Sequence, residues 1–350
     1  MSNVLPDNKI DDHSDSAVST SLLAAADVVS DLISDVTLPA PIKRNALKAL
    51  SQLCTAAIDV PVALLEGFAA ERRAETQARI KLISHTSDQI ARGLVVSPEY
   101  SNVAARKFGA KIVREQVNLD KISVVAAEQL LAETPLSDDL PEGSPTPAEI
   151  NDDWLNAFEQ EARHKSTEEM QQIFGRILAG EIAKTSSFSV KTIKLVAQLD
   201  DRVASLFRRL CSLSISLKIG PRIIDARVVS LNGSASNNSL AQYGLSFDQL
   251  NVLNEYGLII PEYNSWMDYQ YCIAKGGVVN GVMRFENVNW GLVPKVGSTD
   301  DRQPLKLHGV GLTQAGRELM QVVEIETNAE YRAALFAHFE TNKLDLVQLS

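Results

Sequence analysis

The sequence predicts a mainly α fold, in which a helical N-terminal and central bundle is followed by a smaller α+β, winged-helix-like C-terminal domain. Three observations predict it. Apolar residues recur at helical spacing through most of residues 17–216. The chain between 134 and 150 is acidic and proline-rich. After Ile219 the apolar residues gather into short β-branched runs.

The first 16 residues are polar and acidic and read as a disordered tail. A helix is expected over about Ser19–Ser34. Pro39 and Pro41 then reset the chain, because proline fits a first helical turn and not an interior. A second helix is expected from Ile42 to Ile58, and Pro61 starts a third that reaches about Gly93. Ser97 followed by Pro98 is the next start signal, with Val103, Ala104, Phe108 and Ile112 as an apolar stripe. Asn118 reads as the cap of a further helix in which Leu119, Ile122, Ala126 and Leu130 share a face. Residues 134–150 carry Pro135, Pro141, Pro145 and Pro147 and no Lys or Arg, which is the composition of a linker.

Trp154, Phe158 and Ala162 mark the next helix. Ser166 with Glu169 spells a capping box for the one after it, whose core face is Met170, Ile173, Phe174, Ile177, Leu178 and Ile182. On that reading Arg176, Glu181 and Lys184 are solvated, Thr185–Ser187 form a loop, and Ser189 caps the following helix. Beyond Ile219 come the run IIDARVV, the loop NGSASNNS, and a helix over SFDQLNVLNEYG that ends at Gly257. Alternating segments follow around YQYCIAK, GVVNGVMRF and WGLVPK. The stretch KLHGVGLTQAGRELMQVV then gives a strand, a Thr313 cap and a helix, and a last helix spans Tyr331–Thr341. The resulting division is a tail at 1–16, a helical domain at 17–133, a linker at 134–150, a central helical block at 151–216, and a winged-helix-like domain with a C-terminal helix at 217–350.

The chain of 350 residues suffices for two or three domains of about 150. Its 34 basic residues against 44 acidic ones give a net charge of −10, so nonspecific attraction to nucleic acid or anionic lipid is not expected of the chain as a whole. Cys54, Cys211 and Cys272 are far apart and odd in number, the profile of a reducing compartment. The N-terminus lacks the basic start and apolar core of a signal peptide. The most apolar window, Cys54–Ala70, is broken by Asp59, Pro61 and Glu66, so a membrane role is not expected and a cytoplasmic protein is.

Candidate chemistry is sparse. Glu161 and His164 have the three-residue spacing of a carboxylate-bridged di-iron ligand pair, but no other histidine follows a glutamate at that distance. The turn His308–Gly316 resembles a phosphate-binding loop, although its glycines do not match a dinucleotide fingerprint. No metal or cofactor is expected. Two basic clusters remain as possible contacts for nucleic acid or a partner. Lys107, Lys111 and Arg114 fall on one helical stripe, and Arg202, Arg208, Arg209, Arg222 and Arg227 enrich the segment 201–230. The helix over Ser246–Tyr256, which a winged helix would place in a groove, carries Asp248 and Glu255 and no basic residue.

Trp154 with Phe158, the block MQQIFGRILAGEI, the block SFSVKTIKLVAQLD and the motif LTQAGREL together resemble an uncharacterised bacterial domain-of-unknown-function family, DUF2806, from about Arg114 to Val323. A weaker likeness is to Abi-alpha abortive-infection proteins. The resemblance implies a bacterial, cytosolic helical protein with a winged-helix-like end and a link to phage defence, and it transfers no catalytic residue. The expected function is that of a non-enzymatic interaction or regulatory protein with a protein partner or as a homo-oligomer. The alternatives are a nucleic-acid-binding regulator, and an effector or enzyme whose site forms only on assembly.

Overall fold

The computed structural model describes residues 38–54, 98–133, 148–220, 222–232, 237–295 and 304–349. The tail at 1–16, the helices expected at 19–34 and 61–93, the apolar window beyond Cys54 and residues 134–147 of the expected linker lie outside them. The chain divides into two compact units, Met1–Val190 and Lys191–Ser350.

The first unit is built from α1 (Ala40–Leu53), α2 (Pro98–Glu133), α3 (Asp152–Ala162) and α4 (Glu168–Ala183). Its core is made by the apolar faces read from the sequence. Leu119, Ile122, Ala126 and Leu130 of α2 and Phe174, Ile177, Leu178 and Ile182 of α4 are buried. Gly175 sets the approach of α4 to α2: a Cβ there would stand 2.4 Å from Val125 Cγ1, so only glycine lets the helices close to this distance. The fully buried Asn45 of α1 holds the chain entering α3, accepting from the Ile150 N–H at 3.2 Å and donating to the Ala148 carbonyl at 3.1 Å.

Three local expectations are corrected here. Asn118 starts no helix, because Pro98–Glu133 is continuous; its buried side chain instead donates to the Arg163 carbonyl at 2.9 Å and accepts from Gln171 Nε2 at 3.3 Å. The capping box at Ser166 does not form, since the N-cap of α4 is Thr167, which makes no side-chain capping bond. Val103, Ala104 and Phe108 are exposed rather than core.

Glu181 is also not solvated. It is 3% exposed and accepts two backbone N–H bonds, from Ser186 at 2.6 Å and Phe188 at 3.0 Å. Ser186 sits at φ +65°, so the carboxylate fixes a tight reversal after α4. Glu181→Ala should therefore cost about 1–3 kcal/mol, the range for removing a charged acceptor from buried donors. A urea titration that gives the wild-type midpoint would sink this role.

The second unit contains α5 (Val190–Val196), which begins at the division between the units, α6 (Asp201–Leu213), α7 (Phe247–Glu255), α8 (Gln314–Met320) and α9 (Ala329–Thr341). Its strands are β1 (Ser214–Ile219), β2 (Arg222–Val229), β3 (Ser265–Asp268), β4 (Val282–Phe285), β5 (Val288–Pro294), β6 (Lys306–Gly311) and β7 (Leu344–Gln348). They form one seven-stranded sheet in the order β3-β6-β2-β1-β4-β5-β7, with every neighbouring pair antiparallel.

The fold class is thus α+β, not mainly α, and the winged-helix-like module expected over 217–350 is replaced by this sheet. The alternating segments around GVVNGVMRF and WGLVPK form the hairpin β4–β5, set between β1 and β7. Its two-residue turn, Glu286 at φ +49° and Asn287 at φ +62°, matches the twist of the strands it joins. β1 straddles the boundary expected between the helical block at 151–216 and the domain at 217–350. β7 was not foreseen.

Helix starts in this unit follow local chemistry. Ser246 and Gln249 form a reciprocal capping box at α7, and Thr313 caps α8 by accepting from the Gly316 N–H at 3.1 Å. Among the described residues no helix is long and apolar enough to cross a membrane.

Candidate recognition cleft

The basic residues singled out by the sequence have different fates. Lys107, Lys111 and Arg114 are exposed on α2, with Lys111 Nζ 3.6 Å from Glu115. Arg202 and Arg209 are exposed on α6, and Arg209 Nη1 reaches the Gly244 carbonyl at 3.4 Å. Arg208 lies 3.9 Å from Glu326, and Arg222 is exposed at the start of β2. Arg227 leaves the set altogether, being 3% exposed and turned into the sheet.

Arg227 is held by Asp225, two residues back and hence on the same side of β2. The guanidinium grips the carboxylate twice, Nε to Oδ2 at 2.6 Å and Nη2 to Oδ1 at 3.0 Å. Its Nη1 donates to the carbonyls of Ser265 and Leu307, both at 2.9 Å, which ties β3 and β6 to β2. Tyr269, fully buried, donates to Asp225 Oδ2 at 2.9 Å. Burial and then the Asp225 charge push its phenol well above the ordinary range, so it stays a donor. Every strong group in this network is spent on another. The run IIDARVV carried the signal for it, since opposite charges at alternate positions of a β-branched strand share one face.

The quoted motif residues are likewise committed to structure. Trp154 donates through Nε1 to the Phe188 carbonyl at 2.7 Å and stacks on Phe158, whose ring is 5.5 Å from Phe174. In the second unit Glu318 of LTQAGREL accepts from Thr192 at 2.5 Å and from Gln314 at 2.8 Å. The loop read as a phosphate turn is closed, because a Cβ at Gly316 would stand 2.2 Å from the Leu258 carbonyl oxygen. His164 of the candidate metal pair has Nδ1 3.6 Å from Glu115. The three cysteines are buried thiols. Burial pushes the Cys211 thiol well above its usual range and the Cys272 thiol up to about 12, which keeps both protonated and poorly nucleophilic near neutral pH.

A cleft of about 380 Å³ opens in the second unit, where the end of β2, the start of α7 and the turn before β3 meet. That volume falls in the range of small-ligand sites. Phe247, the first residue of α7, is 45% exposed and stacks on Tyr263 with centroids 6.4 Å apart and planes 23° from parallel. Tyr263 is anchored by donating to Asn251 Oδ1 at 2.7 Å. Its phenol is raised by burial and then by the nearby Glu255 carboxylate. Glu262, Asn264, Asn237 and Ser230 supply polar lining, and among the described residues no Lys or Arg lines the cleft. Asn238 also lines it, but its amide serves the local turn, donating to the Leu245 carbonyl and accepting from the Leu240 N–H. Sequence reasoning missed this site. Its signal was slight: an aromatic at the first helical position and another in the turn Pro261–Asn264.

No curated protein and no solved structure matches this chain. Residues 104–336 match the family model described as Protein of unknown function (DUF2806), and the helices, sheet and motif contacts described above fall largely within that span. The chain belongs to the DUF2806 family.

Proposed function

We propose that this chain is a non-enzymatic cytoplasmic interaction protein that recognises its partner through the cleft on the second unit. The observation that carries this reading is the contrast within that unit. Asp225, Arg227, Tyr269 and Glu318 are buried and bonded to one another or to neighbours, whereas the aromatic pair Phe247–Tyr263 and the amide and carboxylate beside it open to solvent. Exposed aromatics with adaptable polar neighbours suit recognition. The reading is tested by comparative capture from the source cells. A partner retained by the wild-type chain should be lost with Tyr263→Ala and kept with the triple variant Lys107→Ala, Lys111→Ala, Arg114→Ala. Equal retention by the Tyr263 variant would sink it.

A second reading, nucleic-acid regulation, is favoured by the exposed stripe Lys107, Lys111 and Arg114. It predicts a shift of DNA or RNA that weakens steeply with added salt and whose salt slope falls by about two to three on replacing all three residues. A shift that persists unchanged in the triple variant, or none at low salt, counts against it. Phage defence is the biological setting implied by the weaker family likeness. Plating efficiency with and without the expressed chain tests that setting.

A further inference from the structure

We infer that the cleft between α7 and β3 binds an organic cation, a guanidinium or a primary ammonium. The inference rests on the recognition reading above and names the chemistry that the site would recognise. Phe247 is 45% exposed and stacks on Tyr263, whose hydroxyl donates to Asn251 Oδ1. Ring faces carry negative potential and attract cations. Glu262 lines the same cleft, and Glu255 is near enough to Tyr263 to act on its phenol.

The polar groups left over favour the same ligand. Asn264 and Asn237 offer amide oxygens that accept from N–H donors, and Ser230 adds a hydroxyl. An anion would meet the Glu262 carboxylate with no cation among the described lining residues to offset it, and a neutral apolar group would leave that carboxylate unused. The chain's net charge of −10 draws a cationic partner toward the surface as well. A side chain of arginine or lysine on a partner protein and a free small cation share this chemistry.

The test is calorimetric titration of the full chain with N-acetyl-arginine amide, N-acetyl-lysine amide, and N-acetyl-citrulline amide as the neutral isostere of arginine. Both cationic probes should bind, and the citrulline probe should be weaker by roughly tenfold or more. Glu262→Gln and Phe247→Leu, which keep size while removing the charge and the aromatic face, should each weaken the cationic probes by about fivefold to tenfold with circular dichroism unchanged.

Putrescine and a short arginine-containing peptide form the last arm. Tighter binding of the peptide identifies a protein side chain as the source, and tighter binding of putrescine identifies a free polyamine. Equal binding of citrulline and arginine probes, unchanged affinity in both variants, or no heat from any cation overturns the inference. If the probes fail while Tyr263→Ala still loses a captured partner, only the cation assignment falls. If capture is also unaffected, the recognition reading falls with it.

Discussion

Replacing Arg227 by methionine should destabilise the second unit by about 3–5 kcal/mol, as expected for removing one partner of a buried, hydrogen-bonded ion pair. The loss has two parts. Asp225, 5% exposed, would keep Tyr269 but lose both guanidinium bonds, leaving a carboxylate in the interior of the sheet. The carbonyls of Ser265 and Leu307 would lose the donor that links β3 and β6 to β2. The measurement is urea unfolding followed by tryptophan fluorescence, to which Trp266 on β3 contributes. Combining Arg227→Met with Asp225→Leu should recover most of the loss, because a buried ion pair and an apolar pair of similar volume are often close in stability. A single variant with a wild-type midpoint, or a double variant no better than the single, would show that the pair is not what holds this edge of the sheet.

Phe174→Ala should cost a similar 3–5 kcal/mol, this time in the first unit, as a cavity-forming truncation. Phe174 is fully buried, its ring 5.5 Å from Phe158, which stacks on Trp154 at 5.3 Å. Nearby, Gly175 already brings Val125 against the backbone of α4, so the wall there has little room to relax and fill the hole. The near-ultraviolet circular dichroism of Trp154 should weaken together with the urea midpoint. An unchanged midpoint would falsify the placement of Phe174 at the centre of this cluster.

The helical half was legible because helix signals are local. Trp154, Phe158 and Phe174 were read as core from spacing alone, and they meet in one cluster. The Ser246 start and the Thr313 cap were equally legible, since each is satisfied by residues within one turn. The same logic failed at Asn118 and Ser166, where residue types that suit a cap were put to other use or left out of it. Asn118 bonds to Arg163 and Gln171, partners that no window around it contains.

For the candidate site the failure was larger. Phe247 and Tyr263 are ordinary residues of a helix start and a turn until the chain folds them against each other. Arg227 was read as a surface charge because residue type and a basic neighbourhood say nothing about which side of a strand will be covered. Glu181 was read as solvated because its two donors come from a loop whose conformation it creates.

The sequence by itself determined most of the helices among the described residues, several of their caps, the acidic balance and the membership of the blocks around residues 154–200 in one structural pattern. Those features depend on neighbours a few residues away, where sequence distance and spatial distance agree. Only the tertiary structure decided that the C-terminal half is one seven-stranded sheet, since Val228 pairs with Val310 and Leu292 with Leu346. Such pairings join segments whose individual patterns are short and ambiguous. Burial of Arg227 follows from those pairings and burial of Glu181 from the loop after α4, because whether a polar group is spent or available depends on what the rest of the chain brings to it.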